Sequence, residues 1–303
     1  MFPDTIRHHL RIRRQLGIMK AVRQQVAITG LRLASFGPAR LDPQDGPIVS
    51  LTSFPARINN AWIPIEAMLR QDTPPSKVVL VLNEDDFRGH KLPRTIRRQL
   101  RRGLEILWIR RDMRSYGKLL PVLKAYPDAP IVTIDDDILY EPWRLGALTR
   151  AAAETPGTIV GHRGWEIRIE NGRILPYRDW DEADTASPSD RVLLTGVGAI
   201  LYPPGVFDPD TLDDPEGIAR LCPTADDIWF WAHARARGVP VRCLGHHGIR
   251  ELLAQRNTPH LMSHNVFGNG NDAQFANVVA HLGLELENLK RPSRTGNARS
   301  AAM

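Results

Sequence analysis

The stretch Ile131–Tyr140, with the sequence IVTIDDDILY, decides the fold that we predict for this chain. Its first four residues are mainly β-branched and apolar, and Pro130 and Pro142 bound the stretch. Such a run is typical of a buried parallel strand. Three carboxylates follow at the carboxyl end of that strand, where open α/β sheets bind their ligands. We therefore predict an α/β protein with a ligand site at this edge of its sheet.

The three carboxylates have two interpretations. Asp135 and Asp137 lie on the same side of an extended chain, so they can share one divalent cation while Asp136 is turned away. A hard cation held by two carboxylates keeps open positions for phosphate oxygens. The alternative is a solvated acidic turn, because Asp readily bonds its own backbone. The rest of the chain favours the cation site.

The bulk composition is that of a soluble globular protein. The chain has 303 residues, of which 42% are hydrophobic and 24% charged, enough for one large domain or two small ones. We expect no membrane span and no signal peptide, since no run of about 18 apolar residues occurs and no cleavage pattern opens the chain. Cys222 and Cys243 are too few for a disulfide scaffold or a zinc cluster. The expected location is the cytoplasm.

The net charge of +6 is concentrated in patches, of which the first lies in residues 1–36. Apolar residues recur there at helical spacing, and Asp4 is the only acid. One interpretation is a helix that lies on the anionic surface at the inner face of the membrane. The other is a helix packed on its own domain or on a partner, with a solvated basic face. The apolar positions are Ile12, Leu16, Met19, Val22 and Val26, and the cations include Arg7, Arg11, Arg13, Arg14, Lys20 and Arg23.

Three segments follow from these patterns. Residues 1–46 form the basic amphipathic helix and a linker, because residues 37–46 are rich in Gly, Pro and Asp. Residues 47–290 form the main domain. Residues 291–303 are small and polar, and we predict a disordered tail there.

The main domain opens with alternating strands and helices, the order of a doubly wound parallel sheet. The predicted strands cover residues 47–53, 77–82, 104–109 and 131–134, and the predicted helices cover 60–71, 92–102 and 117–126. After residue 155 the pattern changes to short strands in a mixed, loop-rich half. We predict strands at 158–161, 165–169, 173–177 and 192–202, a mobile loop at 178–190 and a final helix at 273–284.

Polar residues near the ends of these strands are candidates for binding a nucleotide. Thr52, Ser53 and Arg57 follow the first strand, although Ser53 can equally cap a turn. Asn83 ends the second strand. Lys118 precedes the acidic strand and can meet a phosphate as a point charge, or be a solvated helix lysine. The chain has no Gly-x-x-x-x-Gly-Lys and no Gly-x-Gly-x-x-Gly motif, which excludes P-loop NTPases and dinucleotide-binding dehydrogenases.

Three later features add candidate residues. Gly196 and Gly198 interrupt a strand pattern, which permits either close approach of a ligand or a bulge. Asp226 and Asp227 open a helix, where one of them can complete a capping box with Thr224 and the other can act as a general base. A histidine-containing segment, residues 260–272, can supply a metal ligand or contact a phosphate.

Taken in order, these motifs resemble those of GT-A-fold glycosyltransferases. The resemblance rests on Asp135–Asp137 as an Asp-x-Asp motif, Thr195–Gly198 as a glycine segment on the acceptor side, and Ala225–Asp227 as the acidic pair that opens a late helix. It covers roughly residues 47–285. A wider set resembles bacterial glycosyltransferases of surface-polysaccharide (capsule or lipopolysaccharide) synthesis, namely residues 52–57, 118–121, 226–229 and 270–274.

The resemblance implies a GT-A fold, a Rossmann-like mixed sheet flanked by helices in a single large domain. It also implies a nucleotide-diphosphate-sugar donor, a Mn²⁺ or Mg²⁺ ion, and a glycan or lipid-linked acceptor. Asp135 would face the ribose or the metal, and Asp137 the metal and the diphosphate. His264 would complete the metal site, with His260, His246 and His247 as rivals. The donor pocket would further include Thr52, Ser53, Arg57, Asn83, Lys118, Asp136, Gly196 and Gly198.

The same resemblance assigns Asp227 as the base that deprotonates the acceptor hydroxyl, with Asp226 as its competitor. A base in that position implies a single displacement with inversion. This chain has Asp-Asp where Glu-Asp is frequent, so both the base and the stereochemistry stay open. The donor sugar and its base, the acceptor and the oligomeric state are also left open.

Two other classes compete with this interpretation. A sugar nucleotidyltransferase also combines such a sheet with carboxylate-bound Mg²⁺, but it would need a glycine-rich loop after the first strand, which residues 51–55 do not provide. A non-enzymatic basic module that binds membrane or nucleic acid would leave Asp135–Asp137 without a role. We expect no nucleic-acid partner.

Overall fold

The computed structural model describes residues 4–184, 187–245, 250–252, 270–286 and 289, with side chains from residue 17 onward. Nine helices and fourteen strands occur in this described part of the chain. The helices are α1 Asp4–Ala34, α2 Trp62–Met68, α3 Arg94–Leu100, α4 Leu120–Ala125, α5 Arg144–Glu154, α6 Pro209–Leu212, α7 Pro215–Leu221, α8 Asp226–Ala236 and α9 Gly270–His281. The strands are β1 Ile48–Thr52, β2 Lys77–Asn83, β3 Leu104–Ile109, β4 Ile131–Thr133, β5 Ile138–Leu139, β6 Ile159–Gly161, β7 Gly164–Glu166, β8 Ile169–Glu170, β9 Arg173–Ile174, β10 Asp181–Glu182, β11 Val192–Leu194, β12 Ile200–Tyr202, β13 Val241–Cys243 and β14 Arg250–Glu251.

Seven strands form a central sheet in the order β13-β6-β12-β4-β1-β2-β3. β1 pairs in parallel with both β2 and β4, and β2 pairs in parallel with β3. β12 is antiparallel to β4 and β6, while β13 runs parallel to β6. The predicted α/β class, a mixed Rossmann-like sheet flanked by helices, is confirmed.

The central strands are continuous apolar runs because helices cover both of their faces. Successive side chains alternate between two buried clusters. Val79 and Val81 of β2 belong to the same buried cluster as the aromatic residues of α8, and Val78 and Leu80 belong to the cluster that contains α2. The sheet therefore separates two cores, and only its edges remain for a ligand.

The second half departs from the prediction at several points. The strand predicted over 165–169 is wrong, because β7 and β8 belong to different sheets, and the strand predicted over 173–177 ends at Ile174. The strand predicted over 192–202 is wrong, since β11 and β12 belong to different sheets and a 3₁₀ turn at Gly196–Gly198 separates them. Ala199, with φ 69°, completes the change of direction. The loop predicted over 178–190 is wrong at β10, which pairs with β7, and at Ser189, which bridges to Val241.

The helix predicted in residues 1–36 is confirmed as α1. One of its faces packs on the protein: Ala27, Ile28 and Leu31 contact the core on the α2 side of the sheet, and Gln24 donates a hydrogen bond of 2.8 Å to the carbonyl of Glu251. The predicted apolar residues Met19, Val22 and Val26 lie on the other face and are exposed. No helix among the described residues is long and apolar enough to cross a bilayer.

A buried ionic junction holds the end of α1 to the domain. Glu66 of α2 is fully buried and accepts two hydrogen bonds from Arg102, of 2.5 and 2.9 Å, and one of 3.1 Å from Arg70. The same guanidinium groups also donate to the carbonyls of Gly37 and Ala34. Burial raises the pKa of Glu66, but these hydrogen bonds outweigh it and leave the pKa below its ordinary value.

Candidate active site

The sheet topology brings the predicted site residues to one edge. β1, β4 and β6 run in the same direction, so the segments after their carboxyl ends meet there. The antiparallel strand β12 begins at the same edge, which places Thr195–Gly198 among them. Asp226 and Asp227 reach this edge from the start of α8.

The first group joins the ends of β1 and β4. The hydroxyl of Ser53 donates to Asp136 at 2.6 Å, and Arg57 Nη1 lies 3.0 Å from both Asp136 and Asp137. Asp136 is buried, whereas Asp135 and Asp137 are partly exposed. The predicted extended-chain arrangement, with Asp136 turned away from Asp137, differs from the structure, because residues 136 and 137 form a turn and both contact Arg57. Burial raises the pKa of Asp136, against the opposing effects of Ser53 and Arg57. In this structure Asp136 therefore joins the two strand ends rather than facing the open edge.

The second group is a cation shared by two carboxylates. Lys118 is buried, and its Nζ lies 3.0 Å from Asp135 Oδ1 and 3.1 Å from Asp226 Oδ2. Burial lowers the pKa of Lys118, but the charges of Asp135, Asp226 and Asp227 raise it well above its ordinary value. Lys118 is thus charged, and its interpretation as a solvated lysine is wrong.

The third group positions Asp227. The backbone N–H of Gly196 donates to both carboxylate oxygens of Asp227, at 3.1 and 3.2 Å. The capping-box interpretation is wrong, because no side-chain hydrogen bond caps α8 and Thr224 bonds Gln274 instead. Burial and the charge of Asp226 raise the pKa of Asp227 to about 7, although Lys118 opposes the shift. A carboxyl group with this pKa can exchange a proton near neutral pH.

The two glycines make room for protein groups. A side chain at Gly196 would place its Cβ 2.4 Å from Lys118 Nζ and 3.2 Å from Asp135 Oδ1. At Gly198 a Cβ would lie 2.6 Å from the backbone nitrogen of Arg163. Neither position can carry a Cβ atom unless the neighbouring atoms move. In the structure, the groups that approach these glycines closely are therefore other residues of the protein. The predicted contact of these glycines with a donor stays a prediction.

Two predicted donor-binding side chains already have partners in the protein. Thr52 donates its hydroxyl to the carbonyl of Val81 at 3.1 Å. Asn83 Oδ1 accepts the backbone N–H groups of Asp85 and Asp86, at 2.8 and 3.2 Å, and so stabilises the turn after β2. Their contact with a nucleotide stays a prediction.

The carboxylates of Asp135 and Asp137 are chemically suitable ligands for a divalent cation. Asp135 and Asp137 are partly exposed oxygen donors, the type that Mg²⁺ and Mn²⁺ bind together with substrate phosphates. Lys118 and Arg57 already pair with them, and the described residues contain no cluster of three or more metal-ligand side chains. The predicted ligand His264 and its rivals His246, His247 and His260 lie outside the described residues.

Sequence reasoning missed four residues beside Asp227 and Asp135. Arg163 follows β6 at the same edge, and its guanidinium lies over the ring of Trp165, 5.3 Å from the centroid. The rings of Trp165 and Tyr177 meet edge to face at 6.2 Å. The hydroxyl of Tyr140 accepts the backbone N–H of Asp135 at 2.8 Å. The position of Arg163 directly after a predicted strand was the available signal.

Comparisons with known proteins find similarity only in structure. No protein-family model and no curated protein sequence matches the chain. A mannosyltransferase from Pyrobaculum calidifontis in complex with GDP-Man and Mn²⁺ has a TM-score of 0.47 at 15% identity, over 87% of this chain and 74% of its own. S. aureus TarS has a TM-score of 0.46 at 13% identity, over 80% and 66%. A CMP:2-keto-3-deoxy-manno-octonic acid synthetase complexed with CTP has a TM-score of 0.41 at 12% identity, over 69% and 93%. At this level of similarity, the residues of the chain itself must carry any functional proposal.

Proposed function

We propose that this chain is a glycosyltransferase that moves a sugar from a nucleotide-diphosphate donor to an acceptor hydroxyl, with Asp227 as the base. One observation carries the proposal: the carboxylate of Asp227 is fixed by Gly196 next to Lys118 and Asp135, and its pKa is raised to about 7. A base beside a cationic and acidic strand-end site is the arrangement that transfer from a diphosphate donor needs.

In the proposed step, Asp227 accepts the proton of the acceptor hydroxyl as that oxygen attacks the anomeric carbon. The bond between this carbon and the diphosphate oxygen breaks, and the nucleoside diphosphate leaves with the bonding electrons. Attack from the face opposite the leaving group inverts the anomeric configuration. The acceptor is proposed to be a glycan or a lipid-linked saccharide of a bacterial surface polysaccharide.

On the donor side, Asp135 and Asp137 would hold Mn²⁺ or Mg²⁺, which would neutralise charge on the departing diphosphate. Lys118 pairs with Asp135 and Arg57 pairs with Asp137, so both cations would lie beside the phosphates of a donor bound there. Ser53 and Arg57 join the ends of β1 and β4 and so fix the donor side of the edge. Thr52, Asn83, Gly196 and Gly198 complete the proposed donor pocket.

The donor proposal is tested by thermal shift with UDP-, GDP-, CMP- and dTDP-sugars, each with Mn²⁺ and with EDTA. We expect one nucleotide to raise the melting temperature by several degrees, and only with metal, because a ligand stabilises the state that it binds. Asp137→Ala should abolish the metal-dependent part of this shift. Asp128→Ala, at an exposed residue of the turn before β4, is the matched control and should keep it.

Two results would contradict this proposal. If a nucleotide sugar raised the melting temperature equally with EDTA and with Mn²⁺, donor binding would not depend on a metal. Release of pyrophosphate from a nucleoside triphosphate and a sugar phosphate would instead identify a nucleotidyltransferase, and no shift with any donor would favour the non-enzymatic class.

We further propose that α1 lies on an anionic membrane surface, where a lipid-linked acceptor would be found. Six of the eight large hydrophobic side chains exposed in the described part of the chain fall within residues 18–36. Met19, Val22, Val26 and Leu33 follow one another by 3, 4 and 7 residues, which places them on one face of the helix. That face is opposite to the one that packs on the domain, so both sides of α1 can be occupied at once. The exposed cations Lys20, Arg23 and Arg32 lie on other sides of the same helix.

Sedimentation with vesicles tests this surface. The chain should bind vesicles that contain about 30% phosphatidylglycerol and not pure phosphatidylcholine vesicles. The double variant Val22→Asp/Val26→Asp should weaken binding more than tenfold, since each buried valine contributes about 1.5 kcal/mol or more. Val22→Leu/Val26→Leu keeps the face apolar and should bind as the original chain does. Equal binding by both double variants, or a stable dimer that the aspartates dissociate, would refute the membrane assignment.

A further inference from the structure

Arg163 is a half-buried cation with few partners. Its Nη1 lies 3.5 Å from the hydroxyl of Thr195, and its guanidinium lies over Trp165. Its buried Nε has no hydrogen-bond partner among the described residues. No carboxylate of the described residues forms an ion pair with it. A guanidinium group offers five N–H donors, and removing it from water without a partner costs free energy.

Three arginines with little exposed surface contrast with this arrangement. Arg57 pairs with Asp136 and Asp137, and Arg102 pairs with Glu66. Arg235 pairs with Asp190. Carboxylates thus pair with these three cations, whereas the part of the chain that the structure describes offers none to the guanidinium of Arg163.

The position of Arg163 relates it to Asp227. Thr195, which Arg163 contacts, directly precedes Gly196, whose N–H holds Asp227. Burial and the negative charge of Asp227 raise the pKa of Tyr177, and the positive charge of Arg163 lowers it. The phenol therefore lies within electrostatic reach of both groups.

Aromatic side chains complete this part of the edge. The rings of Trp165 and Tyr177 are partly exposed and meet edge to face, so apolar ring surface lies beside the guanidinium of Arg163. A base, a cation and two aromatic rings are thus linked through neighbouring contacts at the same edge of the sheet. This is the composition expected of a saccharide subsite.

We propose that Arg163 binds an anionic substituent, a carboxylate or a phosphate, on the acceptor saccharide and so places its hydroxyl at Asp227. The proposal rests on the proposed function and names the acceptor class within it: an acidic sugar or a sugar phosphate rather than a neutral sugar. Guanidinium binds both anions through paired, charge-assisted hydrogen bonds.

Saturation-transfer NMR and titration with three probes test the subsite: methyl β-glucuronide, methyl glucoside 6-phosphate and neutral methyl glucoside. At least one anionic probe should bind about 10- to 100-fold more tightly than the neutral one, the range of a charge-assisted hydrogen-bond pair. Comparison of the two anionic probes identifies carboxylate or phosphate as the natural group. Arg163→Met should remove the preference, and Arg163→Lys should retain part of it. Arg168→Met, at an exposed arginine that pairs with Glu170, is the control and should leave it unchanged.

The outcomes separate this proposal from the function on which it rests. Equal binding of acidic and neutral probes, or an acidic preference that survives in Arg163→Met, would overturn the subsite. Donor binding, measured by thermal shift, is independent of both results. A chain that binds a nucleotide sugar but shows no acidic preference is a transferase with a neutral acceptor. If Arg163→Met fails to fold, Arg163→Lys and the salt dependence of probe binding to the original chain decide the matter.

Discussion

Asp227→Asn should lower the rate of sugar transfer by roughly 10²- to 10⁴-fold while the donor still binds, because the amide cannot accept the acceptor proton. The asparagine keeps the volume of the side chain and a carbonyl oxygen for the N–H of Gly196. Release of nucleoside diphosphate from the donor identified by thermal shift measures the rate, with saccharide acceptors supplied in excess.

The neighbouring carboxylate provides the comparison. Asp226 contacts Lys118 rather than Gly196, so Asp226→Asn should change donor affinity more than the rate of the chemical step. If Asp226→Asn is inactive and Asp227→Asn transfers normally, the base is misassigned. If both transfer normally, the acidic pair does not participate in chemistry.

The pH dependence supplies a second signature of Asp227. Burial, followed by the charge of Asp226, raises its pKa to about 7, so the transfer rate should rise with pH below about 7 and level off above it. A carboxyl group whose pKa is raised by folding holds its proton more tightly in the folded state. The stability that it contributes is therefore lost as the pH rises from about 4 to about 7. Asp227→Asn should abolish both this loss of stability with rising pH and the pH dependence of the transfer rate. If the variant and the original protein showed the same dependence of melting temperature on pH, the raised pKa of Asp227 would be contradicted.

Glu66→Ala should destabilise the protein by about 3–5 kcal/mol, because it leaves the buried guanidinium groups of Arg70 and Arg102 without their carboxylate. Urea denaturation measures the change. The matched control is Glu105→Ala, which removes a half-exposed ion pair with Lys77 and should cost about 1 kcal/mol or less.

The contribution of Glu66 also depends on pH in a defined direction. Its pKa is lowered in the folded state, so its stabilising effect is present above the ordinary carboxyl pKa and is lost as the pH falls through the folded value. A Glu66→Ala variant as stable as the control variant would show that the junction contributes little.

The sequence predicted the order of strands and helices in the first half, and it predicted that the candidate site residues lie at one edge of the sheet. Apolar runs that end in polar residues predicted β1 to β4, and parallel strands necessarily bring such ends to one edge. Both results depend on local pattern and on simple geometry.

What the sequence could not provide depends on contacts between distant residues. Nothing near Lys118 in the chain indicates that Asp135 and Asp226 share it, and nothing near Gly196 indicates that its N–H binds Asp227. The break between β11 and β12 likewise depends on tertiary structure, because the two strands pair in different sheets. Short strands after residue 155 were displaced for the same reason, because partners in other sheets set their limits.

The shared cation has a consequence for how substrates bind. One ammonium group, that of Lys118, balances a carboxylate of the strand end and a carboxylate of α8. Whatever engages Asp135 or Lys118 on one side must change the energy of the other side, and thermodynamic reciprocity requires the same factor in both directions. In the proposed transferase, binding of the donor would therefore change the affinity for the acceptor, and binding of the acceptor would change the affinity for the donor by the same factor. The interactions of Lys118 would set the size of that factor.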